Sequence, residues 1–256
     1  MSAASDREFA NKTVLVTGAT GGVGRRVCRL IVAKEGHVVL VGRDQGRLKA
    51  LDRELRPDAT SEPTALIADF ASRDSTARCA VALKQYRPPL HGMVLICPSV
   101  PKSDEVIPAD ERWRHALDLC FLNPLSLMRA ALDWMTADAR IVIVSGIASR
   151  QVFPSLPITN VVRLAWLAEA KSLAARLGAR GVRVNTLSLG GTLTEQFAAE
   201  RAAADVPPED TPENIPLGEY GDPDDAAFVA VSLLSRFANH ITGQNLVFDG
   251  GLTRTY

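Results

Sequence analysis

The window Thr17-Gly18-Ala19-Thr20-Gly21-Gly22-Val23-Gly24 directly follows the apolar run TVLV at 13–16, and it opens a segment with apolar residues at Val27, Leu30 and Ile31. Glycine permits a tight turn from strand into helix and lets a ligand approach the backbone, while the first helical amides and the helix dipole face an anion. The corner therefore restricts the chain to α/β folds with an anion-binding end. The strand-then-helix context carries more weight than the glycines themselves. Their spacing satisfies TGxxxGxG through Gly18, Gly22 and Gly24 and GxxGxxG through Gly18, Gly21 and Gly24, so it does not choose between the two patterns.

Six further short runs, at 37–41, 64–68, 92–96, 140–144, 183–187 and 245–248, alternate with longer stretches of helical spacing. That alternation predicts repeated βαβ units, and hence a doubly wound, Rossmann-type α/β fold: a seven-stranded, mostly parallel sheet with helices on both faces. Most of the runs are continuously apolar, as strands buried on both faces should be. No linker divides the 256 residues, 46% of which are hydrophobic, so 1–256 reads as one domain. The stretch at about 190–223 is rich in Pro, Gly, Glu and Asp and is expected to form a lid over a site, the alternative being a solvated insertion.

Lysine plus arginine equals aspartate plus glutamate at 29 each, so no long-range field favours nucleic acid or an anionic membrane. A small-molecule ligand or another protein is the expected partner. The cysteines, Cys28, Cys79, Cys97 and Cys120, form no CxxC pair and no metal-ligand spacing with histidine, which points to reduced thiols and no metal. No signal-like or membrane-spanning apolar stretch is apparent, and a cytoplasmic location is the expectation.

The residues at 218–252, GEYGDPDDAAFVAVSLLSRFANHITGQNLVFDGGL, together with NKTVLVTGA, Asp69 and RVNTLSLG, closely resemble ordinary single-domain short-chain dehydrogenases/reductases. The resemblance spans nearly the whole chain and implies binding of a nicotinamide dinucleotide. Gly18, Thr20, Gly22, Val23 and Gly24 would form the pyrophosphate turn, with Asp69 against the adenine. Gly190 and Arg163 would lie on the nicotinamide side. In place of the acidic residue of NAD-preferring relatives, the second strand ends in Gly42-Arg43. A guanidinium there suits a 2′-phosphate, so NADP(H) is expected and NAD(H) is the alternative. Asp69 has a second reading as a local helix cap together with Ser72. Relatives assemble through helices corresponding to about 112–137 and 158–177 and through the C-terminal segment. The resemblance thus implies a homodimer or homotetramer, or a hetero-oligomer with an active relative.

The family's catalytic Asn, Ser, Tyr and Lys would align with Cys120, Gly146, Thr159 and Arg163. None is retained, so the expected active site is degenerate. The asparagine–alanine–glycine segment after the fourth strand is replaced as well, by Leu95-Ile96-Cys97-Pro98-Ser99. Pro124 is expected to kink its helix by excluding the carbonyl of Cys120, which would preserve a water site without the Asn. Of the three tyrosines, Tyr86, Tyr220 and Tyr256, only Tyr220 lies beside the predicted lid, and packing is its more ordinary role. Ser145 and Ser149 flank the missing Ser but read better as turn hydroxyls. Cys120 has no activating base nearby in sequence. Arg163 resembles the Arg of halohydrin dehalogenases, but they lack the glycine motif; the Tyr and widely spaced Lys of enoyl reductases are absent here too. The sequence therefore points to an NADP(H)-binding protein of this family, without the standard tetrad, acting as a silent subunit or cofactor sensor. The alternative is an NADPH-dependent oxidoreductase with a non-standard proton source, acting on a quinone, a flavin-like acceptor or a small carbonyl or enone.

Overall fold

The computed structural model describes residues 7–87, 89–100, 105–202 and 211–255. Its strands are β1 (Thr13–Thr17), β2 (His37–Gly42), β3 (Thr64–Ile67), β4 (Leu90–Ile96), β5 (Met135–Gly146), β6 (Arg183–Leu189) and β7 (Asn245–Phe248). They form one sheet in the order β3-β2-β1-β4-β5-β6-β7. Every pairing among them is parallel, in keeping with the doubly wound fold expected from the sequence.

The unbroken apolar runs feed two cores at once, because alternate strand residues point to opposite faces. Leu15, Val39, Leu95, Ile141 and Ile143 pack with α3 (Arg73–Tyr86), α5 (Asn123–Leu132) and α6 (Pro157–Leu177). Their neighbours Val14, Val16, Leu40, Val142 and Val144 pack with α1 (Gly22–Ala33), α2 (Gln45–Leu55) and α8 (Pro223–Leu234). The edge strands depart from two-sided burial: Ile67 is 45% exposed on β3 and Val247 38% exposed on β7. No helix among the described residues is long and apolar enough to cross a membrane.

The boundaries depart furthest from the sequence expectation around the start of β5. β5 begins at Met135, because Met135 pairs with Leu90 ahead of a register shift, and the helical stretch expected to reach 137 ends at Leu132. That stretch is also divided. α4 (Asp110–Leu117) passes into a π-helical turn at Asp118–Leu122 before α5 resumes. Pro124 has no N–H to give the carbonyl of Cys120, and the wider turn is how the helix accommodates it. The irregularity expected at Pro124 is present, but the freed carbonyl is not left for water. It accepts a 2.8 Å hydrogen bond from Nε1 of Trp166 on α6, which is fully buried.

Replacing Trp166 by Phe should leave that carbonyl without a partner in a dry core. The expected loss is about 1–3 kcal/mol of unfolding free energy in urea, the range for one unsatisfied buried acceptor.

Candidate functional site

The predicted nucleotide residues converge at the carboxyl ends of β1 and β2, beside the point where strand order reverses between β1 and β4. Open α/β sheets bind ligands at such switch points. Thr17 Oγ1 accepts from the Ile96 amide at 2.9 Å and fixes the ends of β1 and β4 together. Gly18 has φ +60°, and a Cβ there would lie 3.3 Å from Cβ of Ile96. At Gly24 a Cβ would fall 2.2 Å from the Gly18 carbonyl oxygen, so no other residue closes this turn. The N-terminus of α1 carries no side-chain cap and no acidic residue in its first turn. Its leading amides and dipole are therefore left to an anion, which fits a pyrophosphate.

Arg43 is solvent-exposed just beyond β2. A second arginine that the sequence did not single out joins it: Arg47 Nη2 donates to the Thr20 carbonyl at 2.9 Å, placing another guanidinium against the glycine turn. Its signal was present in the first turn of α2, three residues past the N-cap Asp44, whose side chain accepts from the Arg47 amide. Of the two readings of Asp69, the cap falls to Ser72, which accepts from the Ser75 amide. The Asp69 carboxylate instead closes a local turn by accepting from the Ala71 amide.

One buried cation stands beside Gly146. Arg163, one turn beyond Thr159 on α6, is only 8% exposed. Its Nη2 donates to the Pro98 carbonyl at 2.9 Å, and its Nη1 is buried without a partner among the described residues. Its Nε and the Leu189 carbonyl oxygen each lie 3.7 Å from where a Cβ on Gly146 would stand, so a Cβ there would make ordinary contacts. Thr159 is half-buried. Burial pushes the Cys97 thiol up to about 12 and the Cys120 thiol up to about 11, with Arg163 opposing both shifts. Both thiols are therefore protonated near neutral pH, which removes Cys120 as a nucleophile.

The other hydroxyls have separate roles. Ser149 Oγ meets Ser188 Oγ at 2.9 Å, and Ser188 donates on to Asn245. Ser145 Oγ is buried without a partner. Tyr220 packs edge-on against Phe197 at 5.0 Å and fills the space beside Gly191. Tyr86 meets His37 at the amino end of the sheet, and Tyr256 lies outside the described residues.

The segment after β6 is tied down at both ends by a bridge between Thr192 and Gly221. Gly190, at its start, sits so close to Asp249 that a Cβ would come within 2.8 Å. Thr194 then lies over the glycine turn, where a Cβ on Gly22 would meet Thr194 Cγ2 at 2.5 Å. Beyond it, α7 (Glu195–Ala202) reaches the pocket wall through a 3.2 Å bond from Gln196 to Ser99. The segment's described part thus joins the two halves of the site. Residues 203–210 lie outside the described residues, so the predicted lid is seen only in part.

Iodoacetamide at pH 7.5 should leave Cys97 and Cys120 unmodified in the native protein and alkylate both once urea unfolds it. Mass spectrometry of the peptides reads the difference.

Residues 18–253 match a family model described as Enoyl-(Acyl carrier protein) reductase. The 3-oxoacyl-[acyl-carrier-protein] reductase FabG of Rickettsia felis is 28% identical, with 96% of this chain and 98% of that protein aligned. Human dehydrogenase/reductase SDR family member 4 is also 28% identical, over 95% of this chain and 88% of its own. Among solved structures, an NADPH-bound short chain oxidoreductase from Pseudomonas aeruginosa PAO1, described as containing an atypical catalytic center, superposes with a TM-score of 0.86. It shares 26% identity over 97% of this chain and 99% of that one.

Proposed function

Since this chain belongs to the short-chain dehydrogenase/reductase family of oxidoreductases, we propose that it binds NADP(H) in a complete cradle but lacks the family's proton-transfer tetrad, serving as a cofactor sensor or silent subunit. The observation that carries this reading is a buried guanidinium, Arg163, standing beside Gly146, which has no side chain to offer where an acid and its partners would be needed.

A bound nicotinamide supplies or accepts a hydride; the rest falls to the chain's own groups. The amides opening α1 and the turn Gly18–Gly24 hold the pyrophosphate, with Thr20, Val23 and Thr194 shaping its walls. Arg43 and Arg47 flank the 2′-phosphate position, where fork-like donors match a phosphate. Asp69 is left for the adenine and Gly190 for the nicotinamide side. Arg163 retains the binding part of the lysine's role through Nη1, but its guanidinium does not release a proton in the working range. Thr159 is a poor acid there too, and each lost positioned acid typically costs about 10²–10⁴-fold in rate.

A second reading has its own support. The unpartnered Nη1 of Arg163 is a donor able to stabilise a developing oxyanion, and the Pseudomonas aeruginosa relative is an oxidoreductase with an atypical centre. Under that reading the chain is an NADPH-dependent oxidoreductase whose acceptor, a quinone, a flavin-like molecule or a small carbonyl or enone, draws its proton from solvent. Under either reading the ligand is small. Assembly as a homodimer or homotetramer, or with an active relative, agrees with the habit of the family.

Titration with NADPH and NADH should show tighter binding of NADPH, and Arg43→Ala/Arg47→Ala should weaken NADPH by at least tenfold while leaving NADH nearly unchanged. Binding of neither cofactor would end both readings. With NADPH bound, a panel of carbonyl, quinone and flavin acceptors should give no robust turnover; turnover with any one selects the second reading. The triple change Gly146→Ser, Thr159→Tyr and Arg163→Lys is expected to raise carbonyl reduction above the parent's background, since a Cβ at Gly146 makes only ordinary contacts.

A further inference from the structure

At the opposite end of the sheet, where β1, β4, β5 and β6 begin, lies a cavity of about 360 Å³, within the size range of small-molecule sites. Lys12, His91, Asp138, Arg140, Arg183 and Arg236 line it. Four are cations and one is a carboxylate, in a chain whose total charge is zero. The local excess is therefore concentrated by the fold.

Only part of that charge is used internally. Arg183 is spent on structure: Nε donates to the Asn239 carbonyl at 2.9 Å, and Nη1 to the Gly181 carbonyl and to Asp138 at 2.9 Å. Arg140 donates to the Asp138 carbonyl and to Asn239, but its Nε is buried without a partner. The Lys12 ammonium sits 5.5 Å from the Phe9 ring centroid, and neither it nor the Arg236 guanidinium makes a hydrogen bond or ion pair with any described residue. The nearby Glu8 carboxylate accepts from the Arg236 backbone amide and also attracts Lys12 and Arg140. His91 Nδ1 accepts from the Thr13 amide, which leaves the ring's proton on Nε2 as a neutral donor.

The cations also oppose one another. Burial, then Arg140 and Arg236, lowers Lys12 below its ordinary value against the pull of Glu8. Arg140 is lowered by burial and then by Arg183, against the pull of Asp138 and Glu8. A cavity that offers donors from several cations suits a dianion that spreads over them, and guanidinium forks with an ammonium suit the oxygens of a phosphate.

We propose that this cavity is a second ligand site, separate from the nucleotide cradle, that takes a small phosphate-type dianion on Lys12, Arg236 and the free Nε of Arg140. Because β1, β4 and β5 run from this cavity to the glycine turn and the Arg163 pocket, the two sites lie at opposite ends of the same strands.

The test is calorimetric titration of the full chain with sodium pyrophosphate, inorganic phosphate and malonate at matched ionic strength, with and without saturating NADPH. The expected result is saturable pyrophosphate binding that survives NADPH and weakens at least tenfold in both Lys12→Met and Arg236→Gln, neither of which removes a hydrogen bond from the fold. Arg236→Lys should retain most of it. Inorganic phosphate binding at the same site would assign the free anion, and pyrophosphate alone a phosphorylated metabolite. Absence of saturable binding, or binding unchanged in the variants or abolished by NADPH, would overturn the proposal by placing the anion elsewhere. Malonate binding as tightly as pyrophosphate would overturn its phosphate class.

Discussion

The site depends on how closely two backbone segments meet inside the glycine turn. Gly24 lies against the carbonyl of Gly18 with no room for a methyl group. That contact sets the angle at which α1 leaves β1, and the angle decides where the uncapped amides of α1 point. Thr17 and Ile96 hold the ends of β1 and β4 level with it, and Thr194 lies over Gly22 from the far side. Loosening the turn would therefore disturb the strand ends, the segment after β6 and the uncapped terminus of α1 together.

Against this frame the Arg163 pocket obeys a different physics. A lysine at such a place holds a ligand and tunes a neighbouring acid, because an ammonium is a compact charge that a phenol can feel and answer. A guanidinium keeps the charge and the donors, but it is broader and pinned by the Pro98 carbonyl. Its neighbours Cys97 and Cys120 stay protonated because burial outweighs the attraction of the nearby charge.

Pro124 and Trp166 show how a local conflict is resolved at a distance. The proline leaves the Cys120 carbonyl unsatisfied, the helix widens into a π-helical turn, and an indole from another helix supplies the hydrogen bond. Proline's effect on its own helix is readable in a sequence because it acts four residues back along the same chain. The tryptophan's answer is not, since it comes from 46 residues away.

The same division runs through the protein. Sequence alone determined the seven strands, their parallel winding and the glycine corner, because apolar periodicity and glycine's backbone freedom are local properties with few solutions. It also determined that no tyrosine–lysine pair stands at 159 and 163. Only the tertiary structure decided that Arg47 would reach the glycine turn, that Thr194 would lie over it and that Arg163 would keep an unpartnered donor. It also gathered four cations from separate segments around one cavity. Each of those depends on where side chains far apart in sequence end, and that is set by the packing of helices on the sheet rather than by any spacing along the chain.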